Sequence, residues 1–192
     1  MKKAKKLIPK KPTSKAKRRL LRNAYILLSF GILLLAFGGF NYYRVRILSF
    51  TTPPTVAPTK DRGAVPTEIL IPSIKIDLPV DIGEIKNGVW QISANHATFL
   101  NTSAPPGTGG NTVIYGHNKK VIFGNLPYLS VGQDIYVKTS DGKIHAYKAV
   151  KKYFVEPEAV NLISPTTSEE LTIYTCWGLF DSQRAVIKAL PI

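Results

Sequence analysis

The chain of 192 residues contains one cysteine, Cys176. It lies in Leu171-Thr-Ile-Tyr-Thr-Cys-Trp-Gly-Leu-Phe-Asp-Ser-Gln-Arg184-Ala-Val-Ile-Lys-Ala189, two β-prone runs around a loop with the turn formers Gly178, Asp181 and Ser182. This pattern reads as an antiparallel hairpin. Side chains alternate along a strand. Leu171, Ile173 and Thr175 therefore share one face and Cys176 takes the other. On the return strand Ala185, Ile187 and Ala189 share a face, and Arg184 takes the other. If the more apolar sets face the core, Cys176 and Arg184 both point away from it, at the same end of the hairpin. A guanidinium beside a thiol favours the thiolate and can hold an anionic intermediate.

A nucleophilic cysteine also wants an imidazole as acid or base. His117 closes the strand-like run Asn111-Thr-Val-Ile-Tyr-Gly-His117. His145 alternates within a long strand-like run and reads as structural. His96 sits in a loop before a Pro-Gly segment, where it is able to line a groove. Three scattered histidines and one cysteine lack the spacing of metal ligands, so no metal or other cofactor is expected. Each candidate has a plainer reading: an inert buried thiol, a solvent-facing histidine, a surface arginine.

The elements that must position these residues are short. Glu68–Val80 alternates from Ser73, with Ile74, Ile76 and Leu78 on one face, and Pro72 and Pro79 limit it to short or edge strands. Asn87-Gly88 signals a turn before Val89–Ile92. Ala104–Gly110 is a loop. Val121–Leu129 reads as a short helix or turn packing Phe123, Leu126 and Leu129. Gln133–Thr139 and Lys143–Val155 read as strands joined at Ser140-Asp141-Gly142. Glu156–Ser168 is a long loop with one helical turn near Glu158–Leu162. Many short strands without alternating long helices predict an all-β barrel or sandwich.

The formal charge of +14 is concentrated at one end. Residues 1–23 carry eleven Lys or Arg and no acid, whereas from Lys60 onward thirteen basic residues meet twelve acidic ones. A basic tail beside an apolar run argues against a nucleic-acid partner. That run, Ala24–Tyr43, has the roughly 20 residues needed to span a bilayer. The cations before it predict a cytoplasmic N-terminus and an external remainder. A cleaved signal peptide is the alternative, since Ala36–Gly39 holds small residues near its end. Thr51–Lys60 is a Pro/Thr spacer. The expected organisation is a basic tail at 1–23, a transmembrane helix at 24–43, a linker at 44–63 and a catalytic domain at 64–192.

Three segments resemble the sortases, membrane-anchored cysteine transpeptidases of the bacterial cell surface. Pro106-Gly-Thr-Gly-Gly-Asn-Thr-Val-Ile-Tyr-Gly-His117 resembles the family's stretch ending in its catalytic histidine. Leu171-Thr-Ile-Tyr-Thr-Cys176 resembles its Thr-Leu-x-Thr-Cys motif, with Ile173 at the usual Leu position. Gln183-Arg184-Ala-Val-Ile resembles the strand bearing its catalytic arginine. The resemblance implies an eight-stranded β-barrel with short helices, behind a single N-terminal transmembrane helix. It implies cleavage of a Leu-Pro-x-Thr-Gly-like sorting signal near the C-terminus of secreted proteins, through a thioester on Cys176. His117 would move protons, Arg184 would hold the substrate backbone or the oxyanion, and an amine of a cell-wall precursor or a pilin lysine would be the acceptor. Loops Glu156–Ser168 and Trp177–Gln183 would line the groove. Tyr174 and Trp177 depart from the commonest pattern around the cysteine. Two rivals are an L,D-transpeptidase-like cell-wall enzyme, whose Ser-His-Gly-Cys-like stretch is absent, and an anchored β-barrel binding module with a silent thiol.

Overall fold

The structure, a computed structural model, describes residues 14–46, 63–86 and 88–192. The Pro/Thr spacer, the first thirteen residues and Asn87 of the expected Asn-Gly turn lie outside the described residues. The chain divides into two compact units, Met1–Arg44 and Val45–Ile192.

One helix, α1, runs from Ser14 to Arg46 and makes up the described part of the first unit. At 1.5 Å per residue its 33 residues extend about 50 Å. Lys17–Phe40 within it is long and apolar enough to cross a membrane, and none of that stretch is buried. Leu27, Leu33, Leu35 and Phe37 are exposed, as lipid-facing side chains would be.

In the second unit ten strands follow: β1 Pro66–Ile71, β2 Ile76–Gly83, β3 Ile85–Lys86, β4 Val89–Trp90, β5 Ala97–Leu100, β6 Asn111–Gly116, β7 Asp134–Thr139, β8 Ile144–Val155, β9 Glu170–Trp177 and β10 Gln183–Pro191. Eight of them close a barrel in the order β1-β2-β5-β6-β9-β10-β8-β7, and β3 and β4 form a separate two-stranded ladder. The expected all-β barrel of eight strands is therefore present. Closure leaves no free edge, which a single sheet of this length would expose.

The two prolines of the first run act differently. Pro72 opens a single 3-10 turn, Pro72–Ile74, between β1 and β2. Pro79 sits inside β2, where the strand hands over from β1 (Glu68 beside Pro79) to β5 (Val80 beside Ala97). Each half of β2 has one neighbour there, so a missing N–H is tolerated.

Alternation then sorts the side chains into two cores. Ile69, Ile71, Phe99, Ile114, Ile135, Val137, Leu171, Ile173, Ile187 and Ala189 fill the barrel. Ile122, Phe123, Leu126 and Leu129 pack into the same interior from the turn-rich segment after β6, whose only regular piece is the 3-10 turn Leu126–Tyr128. The second core lies on the other face of β6, β9 and β10: Val113, Tyr115, Tyr174, Cys176 and Val186, with Trp90, Leu100 and Ile163 laid over them.

Candidate active site

Cys176 and Arg184 are direct partners in the β9–β10 ladder. Residues directly opposite share a face, so the pairing follows from the length of the loop between them. On the other side of β9 runs β6, parallel, with Gly116 beside Thr175. The Thr175 hydroxyl donates to the Gly116 carbonyl at 2.8 Å in a buried bond that holds this register. His117 is the next residue after Gly116, so the chain leaves β6 one residue beyond the Gly116–Thr175 pair. Cys176 thus has Arg184 beside it in one ladder, and the strand that leads to His117 runs along the other side of β9. The chain turns at once after His117, whose carbonyl accepts from Lys119 N–H at 2.8 Å and Phe123 N–H at 3.2 Å. Gly116 has to be small here: a Cβ on it would meet Ile122 and Phe123 at 3.0 Å.

The shared face of Cys176 and Arg184 agrees with the hairpin parity, but the face is covered. Each residue is only 2% exposed. Tyr174 and Val186 make this second face as apolar as the first. Residues from elsewhere bury it: Ile85 and Trp90 from the β3–β4 ladder, and Val160, Leu162 and Ile163 from the segment before β9. Trp90 packs edge-on against Tyr115 and Tyr174 at 5.4 and 6.2 Å, and those two rings stack at 5.4 Å. The Tyr115 hydroxyl donates to the Gln91 carbonyl, fixing the cover.

Burial pushes the Cys176 thiol up to about 12; the Arg184 guanidinium pulls the other way and the Asp181 carboxylate adds to the rise. Desolvation therefore outweighs the neighbouring cation and favours the neutral thiol. Arg184 Nη1 donates to the carbonyls of Asp181 and Gln183, both at 2.9 Å. The loop supplying these carbonyls is wound tightly. Phe180 and Asp181 both have left-handed backbones, φ 54° and 58°, and Gly178 is at 81°. Leu179 and Phe180 project into solvent, 78% and 85% exposed. At the hairpin end Trp177 gathers Tyr128 and Phe154, with ring centroids 6.1 and 5.6 Å away.

The other imidazoles are placed elsewhere. His96 Nδ1 pairs with Asp81 Oδ2 at 3.1 Å, on the loop that Lys119 Nζ reaches through the Ala94 carbonyl at 3.0 Å. His145, on β8 opposite Val137, lies against Gly107, where a Cβ would come within 2.5 Å of its ring. Gly107 is doubly required, since its φ is 77°. Among the described residues no three His, Cys, Asp or Glu side chains gather to hold a metal ion. A cavity of about 320 Å³ lies between Thr102–Asn111 and Ile163–Thr167. It sits where β6 and β9 begin, about 20 Å along the strands from Cys176.

Sequence reasoning did not single out Trp90, Tyr115 or Asn111. Asn111 was readable as a polar residue opening an otherwise apolar strand. Trp90 and Tyr115 carried no signal, because their importance comes from what they cover.

A sequence model described as the Sortase domain matches residues 69–192. The chain belongs to the sortase family. Solved sortases share its fold. Sortase A from Corynebacterium diphtheriae superposes with a TM-score of 0.57 at 27% identity, covering 69% of this chain and 62% of that one. A Clostridium perfringens sortase D5 transpeptidase gives 0.58 at 23%, covering 69% and 83%. Sortase C-1 from Actinomyces oris gives 0.55 at 23%, covering 65% and 72%. The chain spans less than two thirds of the corynebacterial sortase. No curated protein matches this sortase by sequence.

Proposed function

We propose that this sortase is a cysteine transpeptidase anchored by α1, with its N-terminus in the cytoplasm and the barrel outside. Its donor is a secreted protein with a C-terminal Leu-Pro-x-Thr-Gly-like signal; its acceptor is an amine of a cell-wall precursor or a pilin lysine. Cys176 Sγ attacks the backbone carbonyl of the signal. The thiol proton passes through His117 to the leaving nitrogen as the C–N bond breaks, releasing the C-terminal fragment and leaving a thioester. An incoming amine attacks the thioester, its proton returns through His117 to the departing sulfur, and a new amide is released. Arg184 donates hydrogen bonds to the substrate backbone or to the oxyanion in both halves.

The observation that supports this reading is the order of three strands: Arg184 opposite Cys176 in one ladder, and β6, which leads to His117, ending beside Thr175 in the other. A neutral resting thiol suits it, since attack and proton transfer then occur together in the closed site. The basic residues before Lys17–Phe40 support the topology.

The burial of Cys176 also fits a binding module with a silent thiol, and one experiment separates the two. The full chain in detergent micelles is incubated with a sorting-signal peptide and a glycine-amide acceptor, and products are read by mass spectrometry. The transpeptidase forms a joined peptide and a mass adduct on Cys176. A chain that is folded but forms neither product is a binding module.

A further inference from the structure

The proposed chemistry leaves Asn111 unused, yet it is among the most engaged polar side chains in the domain. Its residue is 2% exposed. Nδ2 donates to the carbonyls of Leu162 at 3.3 Å and Ser164 at 3.0 Å. Oδ1 accepts from the Thr172 hydroxyl at 2.6 Å, and that hydroxyl lies 3.4 Å from the Leu162 carbonyl. Asn111 opens β6, the strand that runs to His117, and Thr172 stands near the start of β9, the strand that runs to Cys176. The two carbonyls belong to the segment between β8 and β9. There the turn Val160–Leu162 and the fully buried Ile163 lie on the apolar cluster that contains Cys176.

The chemistry of the clasp is specific. A carboxamide presents two N–H donors and an acceptor at once, whereas a carboxyl group would turn lone pairs toward both carbonyls. Ser164 Oγ and Ile163 N–H both close on the Val160 carbonyl, at 2.9 and 3.1 Å, so the segment holds its own turn together. The barrel side chains grip it from outside, at Leu162 and Ser164. If the grip is lost, two half-buried carbonyls need new partners. The least costly remedy is for the segment to lift into water, and Leu162 and Ile163 then leave the apolar cluster that contains Cys176.

We propose that Asn111 is a positioning residue that clamps the segment 156–168 onto the apolar cluster that contains Cys176, and so sets access to the thiol and the affinity of the site for its peptide. The proposal rests on the reading of Cys176 as the nucleophile, but the clamp can be measured on the sulfur alone. Cys176 is the only cysteine of the chain, so alkylation by iodoacetamide reports this position without any turnover.

The test uses the full chain in micelles at pH 8.5, well below the melting temperature. Alkylation rate, KM and kcat are compared for wild type, Asn111→Asp and Thr172→Val. Asn111→Asp should alkylate about tenfold faster, the effect expected from loss of one or two such bonds, and should raise KM more than it lowers kcat. Thr172→Val keeps both Asn111 donors and should shift the same readouts in the same direction, by less. A lowered melting temperature with wild-type alkylation and KM would reduce Asn111 to a structural residue and overturn the clamp, as would no change in any readout. If Asn111→Asp does not fold, Thr172→Val decides alone, and unchanged alkylation overturns the proposal. A Cys176→Ala chain that still joined peptides would remove the catalytic reading while leaving the alkylation result in force.

Discussion

Arg184 Nη1 donates to the Asp181 carbonyl at 2.9 Å, which ties the guanidinium beside the thiol to the loop that leaves the thiol's own strand. Arg184 is therefore both a source of positive charge and a buckle for the β9–β10 loop. A surface arginine at a strand end would be neither.

Arg184→Lys keeps the charge but loses the planar fork. The peptide-joining rate should fall by roughly 10²–10³, the loss of one oxyanion or backbone donor. Because the side chain is buried and holds two carbonyls, stability should fall as well, by about 1–3 kcal/mol. Initial rates taken well below the variant's melting temperature separate the two effects. Wild-type rates there would exclude Arg184 from the chemistry.

Phe180 carries backbone strain with no packing to offset it, since its φ is 54° and its side chain is 85% exposed. Asparagine adopts this conformation more readily than an aromatic residue. Phe180→Asn should stabilise the domain by about 0.5–1 kcal/mol. Thermal unfolding checks this; a lower melting temperature would mean that Phe180 makes contacts its exposure does not suggest.

The thiol itself predicts a pH profile. With burial pushing Cys176 up to about 12, thiolate is the minor form at neutral pH. Its fraction grows about tenfold with each pH unit until that value is reached. Iodoacetamide alkylation should therefore climb steadily between pH 7 and 9. A plateau already present below pH 8 would reveal a thiolate paired with a protonated His117 instead.

Cys176→Ala should abolish peptide joining and leave the barrel folded. The sulfur lies in the second core and not on an open groove, so its removal leaves a small void and costs about 1 kcal/mol. Circular dichroism and thermal melts on the variant measure this. Restored joining activity in the alanine variant would end the proposed mechanism.

Local periodicity carries a good part of this protein. The alternation of Leu171, Ile173 and Thr175 against Tyr174 and Cys176, with a loop of fixed length, is enough to put Cys176 and Arg184 on one face of one hairpin. The apolar run of α1 and the turn at Ser140-Asp141-Gly142 are legible for the same reason: each depends on neighbours a few residues away. The order of the strands was not. Nothing near Gly116 states that it will lie beside Thr175, 59 residues on. That contact comes from barrel closure, in which β6 finds β9 because their inner faces fill one interior. Nor does the hairpin state whether its second face is open. Periodicity marks two faces but not what lies over them. The cover comes from Trp90 on a two-stranded ladder and from Ile163 on a segment clasped by Asn111. Sequence alone thus determined which residues share a face. Tertiary structure decided that the strand leading to His117 runs beside β9 and that the thiol is buried, because burial and long-range pairing depend on elements that the local pattern cannot see.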